Sequence, residues 1–285
     1  MREIITLGVG QAGNQVNAKF WENISNEHGI NTSNGTWEGE DDRQLERSDV
    51  YFAEGSGGRY VPRSVLVDLE PGVLNAVRSD KKMGSLFNPD HFVHAVDGAG
   101  NNWAKGYFSN GAEIIDEVLD QIRRGVELCE SVQGFQIMHS IGGGTGSGLG
   151  SLIVEKLSEE YSDKVAFNFS IFPGSTNNIQ SDCVVEPYNA IMSLSTLIEN
   201  SQAVFTIENS ALHRICQKNL KIAKPTFADI NHLVALGMSN ATATTRFPGY
   251  QNNCDIRKLA TNLVPFPRLH FLMQGQAPLF GAGCQ

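Results

Sequence analysis

Seven residues, Gly142-Gly143-Gly144-Thr145-Gly146-Ser147-Gly148, put five glycines between an apolar, strand-like run and a stretch of helical period. Without Cβ atoms, the backbone can turn tightly there and aim several N–H groups at one anion. A helix that follows adds the positive end of its dipole. Ser140, Thr145 and Ser147 offer hydroxyl donors. The pattern predicts a phosphate cradle. A flexible linker is a poor alternative, because the run joins two apolar elements rather than two domains. The chain has no Gly-Lys-Ser/Thr, so this is not a Walker A loop. Nor is it a nucleophile elbow, since Thr145 stands two residues before Ser147 where glycine is required.

A second glycine turn, Gly8-Val9-Gly10-Gln11-Ala12-Gly13, follows the first strand-like run and opens a helical one. Such a turn alone is a weak dinucleotide signal, and no clear strand ends in an acidic residue about 20 positions on, as NAD binding asks. Two phosphate loops suit a di- or triphosphate better. Neither loop contains lysine, so backbone dipoles and a metal ion must offset the phosphate charge. Asp68 and Glu70, in Asp68-Leu69-Glu70-Pro71, are candidate partners of Mg²⁺ through its waters. The same four residues also read as a helix start, where Glu and Pro are favoured, and spacing leaves both readings open.

The elements that carry these residues alternate between strand and helix. Strands are expected at 4–9, 64–67, 92–95, 135–138, 165–172 and 203–207, with a strand-like run at 269–273. Helices are expected at about 11–28, 111–128, after Gly148, and 227–244, where Arg246-Phe247-Pro248-Gly249 ends the pattern. Residues 30–60 read as a polar surface excursion. This alternation predicts an α/β fold, a Rossmann-like, mostly parallel sheet with helices on both faces. Ligands in such a sheet bind beyond the carboxyl ends of the strands, where five predicted strand ends carry Gly, Asn or acidic residues.

Composition sets outer limits. At 285 residues the chain suffices for one large α/β domain or one domain and part of another. No run of about 18 apolar residues is present, which excludes a membrane-crossing helix. The first eight residues lack the apolar core of a signal peptide and read as a strand of the mature fold. Five scattered cysteines without CxxC spacing fit free thiols in a reducing compartment, rather than a disulfide framework or zinc site. A net charge of −9 without a basic run argues against nucleic acid or an anionic membrane as the main partner.

The motif Gly142–Gly148 resembles the signature of the tubulin family. Around it stand Gly10-Gln11 with Asn14-Gln15, Val67-Asp68-Leu69-Glu70-Pro71-Gly72, Gly98-Ala99-Gly100-Asn101-Asn102-Trp103-Ala104, Val185-Glu186-Pro187-Tyr188-Asn189, and Val264-Pro265-Phe266-Pro267-Arg268-Leu269-His270-Phe271. Their order and approximate spacing are similar to beta-tubulin over essentially the whole chain. The resemblance implies a GTP-binding domain over 1–225, a long connecting core helix over 226–247 and the start of an intermediate domain over 248–285. It implies GTP or GDP with Mg²⁺ as cofactors. Gly10, Gln11, Gln15, Ser140, Gly142, Gly143, Gly144, Thr145 and Gly146 would hold the phosphates, with Ala12 beside them. Asn101 would approach the γ-phosphate and Glu70 would position the metal. Asp182 and Glu186 would lie at or near the ribose. Asn209 and Asn231 would read guanine, whose edge needs the donor and acceptor that an amide supplies. Phe227 would stack on the base. A helix N-cap for Asn209 and a core contact for Phe227 are the simpler alternatives.

The resemblance also implies a partner. The segment Asn253–Lys258 falls where the family faces the next subunit's nucleotide. Alpha-tubulin has a water-activating glutamate there, whereas this chain, like beta-tubulin, has Lys258. Lysine can neutralise phosphate but cannot serve as that base. The implied activity is a weak, assembly-dependent GTPase whose catalytic carboxylate comes from an alpha-tubulin-like subunit. The implied setting is the microtubule lattice in the cytoplasm and cytoskeleton. Ala12 in place of the usual cysteine, Gly8 in the first strand, Phe227 for the commoner tyrosine and a longer 172–181 loop mark a divergent beta-like member. The sequence stops at Gln285, inside a loop that makes lateral contacts in the family. The expectation is therefore poor lateral assembly and an apolar face of the long helix left exposed. A truncated, non-polymerising nucleotide-binding interaction protein is the alternative function.

Overall fold

The computed structural model describes residues 2–174, 183–249 and 254–279. Among them β1 (Glu3–Val9) lies inside the main sheet, and β2 (Phe52–Gly55) and β3 (Arg59–Pro62) form a separate antiparallel hairpin. β4 (Ser64–Asp68), β5 (Phe92–His94), β6 (Val132–Ser140), β7 (Val165–Phe172), β8 (Ala203–Glu208) and β9 (Phe271–Met273) complete one sheet with β1. Its order is β5-β4-β1-β6-β7-β8-β9, and every neighbouring pair is parallel. The chain builds outward from β1 to β5, then returns to place β6 on the other side of β1. That reversal opens a crevice at the carboxyl ends of β1 and β6, the position where such sheets bind ligands.

Both sheet faces are buried, so the strands read as apolar runs rather than as alternating ones. Ile4 and Leu66 pack toward α1 (Gly10–Glu27), α2 (Pro71–Ser79) and a long helix over 227–246. Ile5, Leu7, Val65 and Val67 pack toward α3 (Asn110–Glu127), α4 (Gly150–Glu160) and α5 (Glu186–Asn200). α6 (Asn209–Lys218) leads to that long helix, α7 (Phe227–Arg246), and α8 (Ile256–Leu263) follows it. α7 begins with a capping box in which Thr226 and Asp229 satisfy each other's backbone N–H groups.

The expected helices at 11–28, 111–128 and 227–244 and the strands all occur, with ends shifted by a few residues. Residues 30–60 differ from expectation. They carry the β2 strand and insert Val50, Tyr51 and Phe52 into the core beneath α1. Tyr51 and Phe52 meet Trp21 edge-to-face at centroid distances of 6.0 and 5.2 Å. The short apolar run 50–52, surrounded by polar residues, concealed this from sequence patterning.

The expected exposed apolar face of α7 is also corrected. Ile230, Leu233, Val234 and Met238 are buried. Apolar side chains instead reach solvent on α5 (Tyr188, Ile191 and Met192) and near the C-terminal end (Phe266, Leu269 and Met273).

At its far end α7 is tied to α1 by a buried cation. Arg246, fully buried, contacts Glu27 at 2.6 Å and donates to the Ser239 carbonyl and hydroxyl at 2.8 Å each. Ser239 in turn donates to the other Glu27 oxygen at 2.5 Å. Removing one partner of such a pair leaves a buried charge unbalanced. Glu27→Ala should therefore cost about 3 kcal/mol of stability, read as a lower urea midpoint with unchanged m-value.

Candidate functional site

Gly10 follows β1 and begins α1 with φ of +73°, a left-handed conformation that L side chains rarely adopt. A Cβ there would fall 2.9 Å from the Gly146 nitrogen, so the two glycine turns meet backbone to backbone. Gly8, unusual in a first strand, lies under α1, where a Cβ would come within 2.7 Å of Asn14 Oδ1. Asn14 uses that closeness to donate to the Gly10 and Val67 carbonyls at 2.9 Å each, linking the ends of β1 and β4. Gln11 and Gln15, one turn apart on α1, are exposed beside this junction, and Ala12 is half-buried against the core.

The loop after β6 passes from Ser140 through Gly142–Gly144 into a π-helical turn, Thr145–Leu149, that runs on into α4. Single π-helical turns often mark functional sites. Ser140, Gly143 and Thr145 are half-buried and line its accessible rim. Ser147 does not supply the expected free donor. It is fully buried and its hydroxyl donates to the Gly143 and Gly144 carbonyls, so it shapes the loop from within. Beneath the loop His139 is fully buried. Its Nδ1–H donates to the Gly146 carbonyl at 2.9 Å, so Nε2 accepts from the Ser170 hydroxyl at 2.9 Å.

Three further loops join these two. Asn101, exposed at φ +56°, presses on the glycine loop: a Cβ on Gly144 would lie 2.7 Å from Asn102 N and 3.0 Å from Asn101 Cα. Glu70, exposed ahead of Pro71 at the start of α2, lies against Gly98 and leaves no room for a Cβ there. The helix-start reading of its motif holds, and its carboxylate is accessible. Asp68 is instead buried. Desolvation raises its pKa to about 6, and its carboxylate accepts from the Glu70 N–H at 3.4 Å. Glu186 opens α5 half-buried beside Gly142. Asp182 lies outside the described residues, as does most of the 172–181 loop.

The remaining expected residues sit at the starts of α6 and α7. Asn209 is the first residue of α6, and Glu208 holds the N-cap position, so capping is not its role. Phe227 opens α7 with 66% of its surface exposed, which excludes a core contact. Asn231 follows one turn later, half-buried. Because strands and helices alternate in parallel, α1, α2, α5 and α6 and the turn leading into α4 all start at the carboxyl end of the sheet. Their positive ends collect there.

One residue was missed in assigning roles. Asn189, quoted only as part of a motif, is 4% exposed on the first turn of α5 and bonds to both the Asn101 and Gly142 segments. Two polar residues one turn apart on the buried face of α5, Asn189 and Ser193, were the available signal.

Lys258 stands at the opposite end. α8 attaches there to the starting ends of β6 and β7, through Ile256 N–H to Gln133 Oε1 at 3.3 Å and Arg257 to the Asp163 carbonyl at 2.8 Å. Arg2, Arg47 and Lys258 share with Glu46, Asp49 and Asp255 a cleft of about 650 Å³, and Arg2 pairs with Asp255.

Two buried histidines make this architecture acid-sensitive. Desolvation lowers both His139 and His28 from 6.5 to about 4. Between those values the unfolded chain binds more protons, so stability is lost as pH falls from about 6.5 toward 4. Asp68, raised from 3.8 to about 6, and Asp49, also raised by desolvation, work the other way, while His91, lowered by desolvation, adds to the loss. The urea midpoint should fall steadily from pH 7 to 5, and His139→Asn should make that fall shallower.

Residues 3–217 match the Tubulin/FtsZ family, GTPase domain. The chain is 54% identical over its full 285 residues to the tubulin beta-3 chain of an oomycete-like species, strain MacKay2000. The match covers 63% of that relative, so this chain spans less than two thirds of its length. With the glycine signature at the reversal point of a parallel sheet, these matches show that the chain belongs to the Tubulin/FtsZ family and is beta-tubulin-like.

Proposed function

We propose that the chain binds GTP or GDP with Mg²⁺ at the carboxyl ends of β1, β4, β5, β6 and β8, as a tubulin-type cytoskeletal subunit. The observation that carries the reading is the backbone contact of two lysine-free glycine turns at the β1–β6 reversal, ringed by helix N-termini. Gly10, Gln11, Gln15, Ser140, Gly142–Gly144, Thr145 and Gly146 would take the phosphates, with Ala12 beside them. Asn101 would take the terminal phosphate. Asn209 and Asn231 would read the guanine edge under Phe227, whose exposure at the start of α7 supports stacking. Asp182 and Glu186 would lie near the ribose.

Among the described residues no cluster of three His, Cys, Asp or Glu side chains could hold a metal. A magnesium ion here would take phosphate oxygens and water, with Glu70 as its accessible carboxylate. A hard cation that keeps several waters fits such a donor set. When bound it would neutralise phosphate charge. Gly10, Gly143 and Thr145 would orient the phosphate chain, and Glu70 would hold the waters.

The opposite cleft supports head-to-tail assembly. Arg2, Arg47 and Lys258 lie at the starting ends of the strands, so stacking two subunits along the strand direction would bring cations over a neighbour's phosphates. Hydrolysis would then require a carboxylate from an alpha-tubulin-like partner, since this chain presents Lys258 there. We place the subunit in the microtubule cytoskeleton of the cytoplasm. We divide it into a nucleotide domain over 1–225, a connecting helix over 226–247 and the start of a second unit over 248–285. A second reading, a nucleotide-binding interaction protein that does not polymerise, is favoured by the apolar surface of α5 at Tyr188, Ile191 and Met192. Co-sedimentation with microtubules separates the two.

Extraction of the purified chain should release GTP or GDP at near-equal molar ratio. Recovery of NAD or ATP would overturn the nucleotide reading. Asn209→Ala should weaken guanine selectivity by about tenfold, one lost amide pair, while sparing phosphate affinity. Equal losses for GTP and ATP in competition would remove Asn209 from the base site.

A further inference from the structure

Asn189 spends its whole amide on two loops of the candidate site. Nδ2 donates to the Asn101 carbonyl at 2.8 Å and to the Gly142 carbonyl at 2.9 Å, while Oδ1 accepts from the Trp103 N–H at 3.0 Å. Only one amide orientation fits, because a flip would set Oδ1 against two carbonyls and the NH₂ group against an N–H. α5 is fixed in turn by Ser193, whose hydroxyl bonds to the Asn189 carbonyl at 3.0 Å and to the Ser147 carbonyl at 3.3 Å. A helix that sits outside both loops is thus hydrogen-bonded to each.

The segment it holds is a tight turn, closed by the Asn102 N–H donating to the Ala99 carbonyl at 3.1 Å. Asn101 is left-handed at φ +56°, directly after Gly100 at φ +56°. Its side chain lies beside the glycine loop. A Cβ on Gly143 would find Asn101 Oδ1 on one side and Ser140 Oγ on the other, each at 4.0 Å. Asn189 fixes the carbonyl of Asn101 within this turn, while the Asn101 side chain stays exposed.

We propose that Asn189 is a positioning residue that sets the preference of this site for a triphosphate over a diphosphate. It clamps Asn101 in the left-handed turn against the Gly142–Gly144 segment, so a third phosphate meets a donor already in place. A diphosphate does not reach that donor and gains little from the clamp. Asn189 touches no ligand itself. The inference rests on the nucleotide reading above and adds to it a residue and a selectivity.

The test is equilibrium competition of GTP and GDP against a fluorescent GDP analogue, for the full chain and for Asn189→Ala, Asn101→Ala and the double variant. Asn189→Ala should lower GTP affinity by about tenfold while changing GDP affinity far less. The double variant should be no worse than Asn101→Ala, since Asn189 acts only through the Asn101 donor. Equal losses for GTP and GDP, or additive losses in the double variant, would overturn the proposal. Hydrogen exchange across residues 98–104 of the unaltered chain tests it without any substitution. The segment should be as protected with GDP as with GTP, and protection that appears only with GTP would mean the turn is not preformed. Unaltered protein that binds neither nucleotide would instead sink the nucleotide reading, and the selectivity with it.

Discussion

At the junction of β1 and β6 two stretches of main chain touch where most folds would place side chains. Gly10 could not carry a Cβ, because the Gly146 nitrogen would lie 2.9 Å from it, and Gly144 is crowded in the same way by the Asn101–Asn102 backbone. Close approach lets the N–H groups of several loops converge on one small volume, which arrays of side chains at ordinary spacing do not do. Everything beneath is arranged to keep that contact rigid. Asn14 links the ends of β1 and β4, His139 supports the Gly146 carbonyl, and Ser147 bonds the loop's own carbonyls. Each of these side chains is buried and hydrogen-bonded, so the polar groups under the cradle hold geometry instead of competing for ligand.

The parallel topology gives the molecule two chemically different ends. Helices begin at the carboxyl ends of the strands and finish at the amino ends, so partial positive charge gathers on one side and partial negative charge on the other. The acceptor-rich end carries Arg246 in the last turn of α7, together with Arg2, Arg47 and Lys258 around the cleft. α7, at 20 residues about 30 Å long, runs from Phe227 at the cradle end to Thr245 at the cleft. A single rigid helix therefore connects the two ends, and the Arg246–Glu27–Ser239 network locks its far turn to α1.

The cradle itself was legible in the residues. Five glycines in seven positions after an apolar run have few other uses, and the turn at Gly8–Gly13 gained meaning only beside them. The alternating fold followed from strand-length apolar runs separated by helical periodicity. Other features escaped because their signal is not local. Tyr51 and Phe52 lie in a polar stretch and become core residues only because α1 places Trp21 over them. Asp68 and Glu70 are two residues apart and chemically alike, yet Asp68 closes the buried strand β4 and is desolvated, while Glu70 lies beyond the strand at the start of α2 and faces solvent. Ser147 looked like a donor and is consumed by its own loop.

The sequence by itself determined the residue types that phosphate binding and family membership require, because glycine without Cβ and amides with paired donors and acceptors are properties of single residues and short spacings. Tertiary structure alone decided which of those residues meet. Asn101, Gly142 and Asn189 are separated by 41 and 47 positions, and only the return of the chain from β5 to β6 brings them within one amide's reach. Burial likewise is a property of the packed whole. It is what keeps His139 neutral and raises Asp68, and it separates carboxylates and hydroxyls that hold the site together from those that can face a ligand.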